Sequence, residues 1–266
     1  MLDRKKITHR LKTTLFGRNL FLLDEIDSTN KYAMQLARDG APEGSVVFTA
    51  YQTTGRGRLN RGWFSSRGEN LLMSIILRPK QNIETIQRIT LAVAVVLLEA
   101  TRSYLKKYAY PQLDLRLKWP NDLLVGDKKL AGILTESILR GNSVEAVIVG
   151  IGMNLNFCAE KMPDEIRHTA TSIRVETGKR VDVDRFFTYL LYHFEQAYLK
   201  LERNGYADVV EQWKTYNHQS GQEIIIRIGE ADEYGRFIDV NSAGHLLYRD
   251  DKGRMHEIVS AEILSA

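Results

Sequence analysis

The chain has 266 residues, 44% hydrophobic and 26% charged, with a net charge of +4. This bounds it to one large domain, or a medium domain with a small companion, whose core needs no staples. A single cysteine, Cys158, excludes an internal disulfide and a cysteine-rich zinc site and fits a reducing compartment. No apolar run reaches membrane-spanning length, and the basic N-terminus lacks a signal peptide's apolar centre, so the expected location is cytoplasmic, with no membrane partner. The mild positive charge permits an anionic ligand or an acidic partner without pointing to nucleic acid.

Residues 3–15 predict a short helix with Ile7, Leu11 and Leu15 on one side. Asn19 to Ile26 predicts a strand. Ser28, Thr29 and Asn30, after Asp27, are plausible helix N-caps; their hydroxyls and amides, if uncommitted, suit a polar ligand at a strand-to-helix turn. The helix behind them buries Ala33, Leu36 and Ala37 and ends near Gly40. Val46 to Ala50 is a buried strand, and Leu71 to Leu77 is another. Between them, Tyr51 to Trp63 carries Gly55, Gly57 and Gly62 interleaved with Arg56, Arg58 and Arg61. Glycines let a backbone approach a ligand, arginines supply forked donors for phosphate and carboxylate, and Trp63 offers a stacking face. A nucleotide fits that set. A strand rather than a helix follows, so this is neither a Walker loop nor a dinucleotide fingerprint.

A long helix is expected from Ile83 to Tyr108, with Ile89, Val93, Leu97 and Tyr104 at helical spacing. Leu115 to Trp119 alternates like a strand, Pro120-Asn121-Asp122 breaks it, and Leu123 to Val125, the Gly126-Asp127 turn and Lys129 to Glu136 complete a hairpin or meander. Its polar end holds Lys118, Asn121, Asp122 and Lys129, which read either as an ordinary exposed turn or as a site. Ala146 to Val149 is a strand closed by Gly150-Ile151-Gly152-Met153-Asn154, where small residues let the backbone lie against a ligand. Cys158 reads as a small apolar filler. Residues 159–182 look irregular. A strong helix starts at Asp184 and ends at Gly205, and a shorter one covers Tyr206 to Tyr216. From Glu223 the pattern is short and β-like, punctuated by Gly229, Gly235, Gly244 and Gly253, as in a small barrel.

Four segments, in this order and spacing, resemble the biotin–protein ligase family. They are Asp27-Ser28-Thr29-Asn30; Gln52 with Gly55-Arg56-Gly57-Arg58 through Trp63; Lys118-Trp119-Pro120-Asn121-Asp122 with Lys129-Leu130-Ala131-Gly132; and Gly150-Ile151-Gly152-Met153-Asn154. The resemblance spans roughly residues 15–266. It implies an α+β fold: a mixed β-sheet catalytic domain flanked by helices (1–218), then an SH3-like barrel (219–266). Some members carry an N-terminal helix-turn-helix domain. So few residues precede the first motif that the monofunctional kind, with no DNA partner, is expected. Leu59-Asn60 and Ala261-Glu262 depart from common family residues.

The implied reaction joins biotin to ATP as biotinoyl-5′-AMP, then transfers biotin to a lysine of a carrier protein. The expected carrier is the biotin carboxyl carrier domain of acetyl-CoA carboxylase; monomer and homodimer both stay open. The resemblance assigns biotin contacts to Ser28, Thr29, Asn30, Gln52, Gly55, Arg56, Gly57, Arg58, Lys118, Gly150 and Gly152. It assigns ATP or adenylate contacts to Arg56, Arg58, Arg61, Trp63, Lys118, Asn121 and Asn154, with Trp63 stacking on adenine. The chemical roles fall to Arg56, Lys118, Lys129 and Asp122. ATP, biotin and Mg2+ are implied, without named metal ligands. The glycine-rich loop, with Leu59 as its one apolar anchor, is expected to close when ligand binds. The rival readings are a lipoate–protein ligase and a non-enzymatic nucleic-acid binder.

Overall fold

The computed structural model describes residues 3–79, 85–141, 143–229 and 231–265. Its centre is a mixed seven-stranded sheet. The strands are β1 (Leu20–Leu23), β2 (Val46–Thr49), β3 (Asn70–Leu77), β4 (Leu115–Lys118), β5 (Asp122–Val125), β6 (Lys128–Arg140) and β7 (Ser143–Asn154). The spatial order is β1-β2-β3-β7-β6-β5-β4. Among the described strands of this sheet, only β1 and β2 run parallel. A parallel pair needs a crossover, and helix α2 (Thr29–Arg38) supplies it.

The period-two alternation of strands β3 and β7 sorts their side chains to two faces. Leu71, Met73, Ile75, Val147, Val149, Ile151 and Met153 enter the main core beneath α3 (Thr85–Lys107) and α6 (Val183–Asn204). Phe48 stacks on Phe187 of α6 with ring centroids 4.1 Å apart. The other face carries Val47, Ile76, Ala146 and Ile148, covered by Ala33 and Ala37 of α2. Ten residues of helix cannot cover the whole face. Past its N-terminus that face continues as Ser74 on β3 and Gly150 and Gly152 on β7, and there it opens into a trench.

Several boundaries differ from expectation. The first helix, α1 (Arg4–Arg10), stops before Leu15, because the backbone N–H groups of Thr14, Leu15 and Phe16 all bond to the Glu195 carboxylate instead. Strand β1 ends at Leu23, and Ile26 meets Gln52 only in a single bridge, since the chain is already turning into the α2 cap. Gly150 to Asn154 do not close a strand: they lie within β7, all paired to β3, with Gly150 to Met153 paired to β6 as well. The expected start of the long helix at Ile83 lies outside the described residues. Residues 159–182 hold a 3-10 turn (Ala159–Lys161) and two short α-helices, α4 (Asp164–Arg167) and α5 (Ile173–Thr177), the last capped by Ser172. Helix α7 (Val209–Lys214) is shorter than Tyr206 to Tyr216.

The C-terminal part is a separate antiparallel five-stranded sheet, SH3-like, of β8 (Glu223–Ile228), β9 (Ala231–Val240), β10 (Leu246–Asp250), β11 (Met255–Ile258) and β12 (Glu262–Ser265), ordered β11-β10-β9-β8-β12. Trp119 pins it to the main sheet. Its indole Nε1 donates to Gly244 O at 3.0 Å and its backbone N–H donates to Gln219 Oε1 at 3.1 Å, with the side chain fully buried. A buried indole N–H usually takes such a partner, and here one residue joins the polar hairpin to the small domain.

Candidate active site

A cavity of about 520 Å³ fills the trench. Its floor is made of glycines. A Cβ at Gly150 would collide with Asn30 Oδ1; one at Gly152 would lie 2.5 Å from the Trp63 ring, and one at Gly132 would lie 3.1 Å from it. The three glycines are therefore seats for two side chains. Every residue expected to touch a ligand lines the cavity except Gly55. Gly55 stands behind it: its carbonyl accepts the Trp63 N–H at 2.8 Å, and a Cβ there would meet the Trp63 carbonyl at 2.5 Å.

One end is polar and buried. Ser28 caps α2, its Oγ accepting the Lys31 N–H at 3.5 Å. Thr29 donates to Gln52 Oε1 from its backbone N–H (2.8 Å) and its hydroxyl (3.0 Å). Ser74 Oγ lies 2.8 Å from Thr29 Oγ1 and 2.6 Å from Asn30 Oδ1. Asn30 Nδ2 donates to Leu134 O at 3.0 Å and to Glu136 Oε2 at 2.8 Å. The donors and acceptors around them fix both amide orientations: Gln52 Oε1 must face Thr29 N–H, and Asn30 Nδ2 must face two acceptors. Between Gln52 Oε1 and Asn30 Oδ1, two hydroxyl protons serve three contacts. The row is rich in acceptor oxygens and short of protons. It favours a ligand whose polar edge brings N–H donors. Gln52 Nε2 faces the loop at Gly55 and remains the donor of the cluster.

The other end is cationic. The Gly-Arg loop is a tight hairpin: Gly57 N–H donates to Arg61 O at 2.7 Å, and Arg56 and Gly62 form a bridge. Leu59 sits at its tip with φ 53° and is 56% exposed, so it anchors nothing; Trp63, on its glycine seats, is the anchor. The arginines diverge. Arg56 turns to Glu136 Oε1 at 3.3 Å. Arg58 donates to Ser260 Oγ at 2.7 Å, Ala261 O at 3.3 Å and Asn121 Oδ1 at 3.4 Å. Arg61 pairs with Glu262. Two of the three thus tie the loop to the C-terminal sheet.

Lys118 and Asp122 face each other across the β4–β5 hairpin, and Lys129 Nζ lies 2.8 Å from Asp122 Oδ1. Among the described residues Lys118 has no hydrogen-bond or ion-pair partner of its own. Burial pushes its ammonium below the usual lysine value, against the pull of Asp122. Burial likewise lowers Arg58, opposed by Asp122 and Glu262. Asn121 Nδ2 donates to Ile133 O at 2.7 Å, and Asn154 Oδ1 accepts from Asn70 Nδ2 at 2.9 Å, so both amides are half committed to the fold. Among the described residues no three His, Cys, Asp or Glu side chains gather as a metal cage. The carboxylates nearest the cations, Asp122 and Glu262, are paired with Lys129 and Arg61.

Ser74, Leu134 and Glu136 complete the polar end and were not singled out from sequence. A signal existed for Ser74: it is the one hydroxyl inside the apolar run Leu71 to Leu77.

The model of the biotin/lipoate A/B protein ligase family matches residues 22–154. A bifunctional ligase/repressor BirA of Bacillus spizizenii is 35% identical over 262 residues, covering 98% of this chain and 78% of that protein. A biotin–[acetyl-CoA-carboxylase] ligase of Paracoccus denitrificans is 34% identical over 243 residues, 91% of this chain and 98% of that one. The solved biotin protein ligase of Aquifex aeolicus, in complex with biotin and ATP, matches with a TM-score of 0.76 at 28% identity, over 94% of this chain and 100% of that chain. With the family model spanning half its length and these relatives aligned across nearly all of it, this chain belongs to the biotin/lipoate A/B protein ligase family.

Proposed function

We infer that this chain is an ATP-dependent biotin–protein ligase. The observation that carries the choice of substrate is the proton-poor row from Gln52 to Asn30. Biotin's urea ring has two N–H donors and one carbonyl; the dithiolane of lipoate has no N–H at all. A head group without donors leaves buried oxygens unmet, at about 1–3 kcal/mol for each. The carbonyl of the urea has Gln52 Nε2 to meet.

The rest of the cavity suits adenylation. A biotin carboxylate oxygen bonds to the α-phosphorus of ATP as the bond to pyrophosphate breaks, leaving biotinoyl-5′-AMP. The carrier lysine's amine then bonds to the acyl carbon, AMP departs with the electrons of the broken C–O bond, and the amine loses its proton. Both steps gather negative charge on oxygens, and preorganised cations stabilise that charge. Lys118, unpaired and half-buried, holds the carboxylate and α-phosphate oxygens. Lys129 contacts phosphate, and Asp122 orients the incoming lysine. Trp63 and Arg58 close over the adenylate, keeping water from a reactive anhydride. ATP enters with Mg2+, and Asn121 and Asn154 support its phosphates. The acceptor protein is a biotin carboxyl carrier domain, which the name of the Paracoccus denitrificans relative supports. The site of action is the cytoplasm.

ATP–pyrophosphate exchange tests this reading. Exchange with biotin and none with lipoate is expected; exchange with lipoate alone would overturn the substrate, and exchange with neither would overturn the activity.

A further inference from the structure

We propose that Glu136 is a positioning residue for the urea head of the substrate, acting through Asn30. The proposal rests on the ligase reading above. Glu136 lies on β6 at the same face as Gly132 and Leu134, opposite Ile148 of β7. This face looks toward the N-terminus of α2, where a carboxylate is electrostatically favoured. One of its oxygens, Oε2, accepts from Asn30 Nδ2 at 2.8 Å. Leu134 O takes the other hydrogen of the same amide at 3.0 Å. With both hydrogens held, Asn30 Oδ1 is turned to Ser74, against the backbone of Gly150 and beside the cavity. An Asn amide is nearly symmetric in shape, so its packing alone does not select this orientation. The two acceptors on its far side do, and Glu136 is the charged one.

Without Glu136 only Leu134 O still holds this orientation, and the Asn30 amide can turn by half a turn. Nδ2 would then replace Oδ1 at the end of the acceptor row, and a donor would face the urea N–H. The second carboxylate oxygen, Oε1, holds Arg56 at 3.3 Å. Glu136 therefore also keeps the first loop arginine at the urea end, away from Lys118. Side chain 136 is not among those lining the cavity, so it works at one remove from the substrate.

The test is steady-state ATP–pyrophosphate exchange on the full chain, comparing wild type with Glu136→Ala, Glu136→Met and Glu136→Gln. Alanine and methionine remove the carboxylate, leaving Leu134 O as the strong acceptor for Asn30 Nδ2, and methionine preserves length and packing should alanine unfold. Both are expected to raise the KM for biotin roughly tenfold or more, the scale of one hydrogen bond to a charged group, with the KM for ATP and kcat little changed. Glutamine keeps an acceptor for Asn30 Nδ2 and is expected to restore most of the biotin KM. A merely structural role would lower kcat and raise both KM values together, without rescue by glutamine, and would overturn the proposal. So would an unchanged biotin KM in Glu136→Met. Wild type that fails to exchange with biotin would overturn the ligase reading instead.

Discussion

The indole of Trp63 lies against the bare backbone of Gly152, so close that a methyl group there would come within 2.5 Å of a ring carbon. Trp63 belongs to the loop and Gly152 to the central strand β7. The contact therefore seats the loop on the sheet, and it needs a residue with no side chain. Gly152→Ala is expected to push the ring out into the cavity. The other two tryptophans, Trp119 and Trp213, are fully buried. Iodide quenching of tryptophan emission will therefore rise in the variant and report Trp63 alone, while biotin-dependent exchange falls. Unchanged quenching would show that the ring does not depend on this seat.

Among the described residues Lys118 is the cation of the polar hairpin without a partner of its own, and its charge is held partly out of water. A cation so arranged stabilises developing negative charge with little reorganisation. Lys118→Ala is expected to slow formation of the adenylate by about a hundredfold to a thousandfold, the usual scale of losing one preorganised electrostatic group. Rapid-quench measurement of biotinoyl-AMP checks this. A burst of unchanged rate would move the role to Lys129.

Arg58 reaches across to Ser260 and Ala261, joining the loop to the strand β12 region. Arg58→Ala removes that latch while leaving the Trp63 seat. The expected result is slower adenylation and faster escape of biotinoyl-AMP into solution, since the loop no longer holds the product against water. Limited proteolysis offers an independent reading: cleavage within residues 54–68 should fall when biotin and ATP are added to wild type and fall less in the variant. Equal protection in both would argue against a latch at Arg58.

What could be read from the sequence is what local chain order brings together. Lys118, Asp122 and Lys129 share a meander, so their proximity follows from turn chemistry alone. Gly150 and Gly152 announce a close approach, though not which side chain approaches. Asn30 and Trp63 arrive from distant segments, and only the β3–β7 register sets them there. Arg56 and Arg58 look equivalent in Gly-Arg-Gly-Arg, yet Glu136 draws one to the polar end of the cavity and Ser260 draws the other to the small domain. Their partners lie 80 and 202 residues away, beyond any local pattern. Leu59 misleads for a related reason: an apolar residue in a loop suggests an anchor, but here it sits more than half exposed at the tip of a tight hairpin.

Glu195 provides the last test, of the scaffold rather than the chemistry. It is completely buried in α6 and accepts three backbone N–H bonds, from Thr14, Leu15 and Phe16, each at 2.7 Å, and the Thr14 hydroxyl at 3.2 Å. Burial pushes its carboxyl up, but the backbone donors together outweigh burial and hold it below the ordinary glutamate value. The folded state therefore binds this proton less readily than the unfolded chain. Its contribution is complete above the ordinary glutamate value and is lost as pH falls through the lowered one. Glu195→Gln has one acceptor oxygen and turns an NH2 group toward N–H donors. It is expected to cost about 2–3 kcal/mol at neutral pH, the scale of losing charge-assisted hydrogen bonds, and to flatten the acid limb of stability. Urea unfolding midpoints of both proteins, taken from neutral pH down through the ordinary glutamate range to about pH 2, measure this directly. Parallel acid limbs would mean that the three N–H groups are satisfied equally well without the charge.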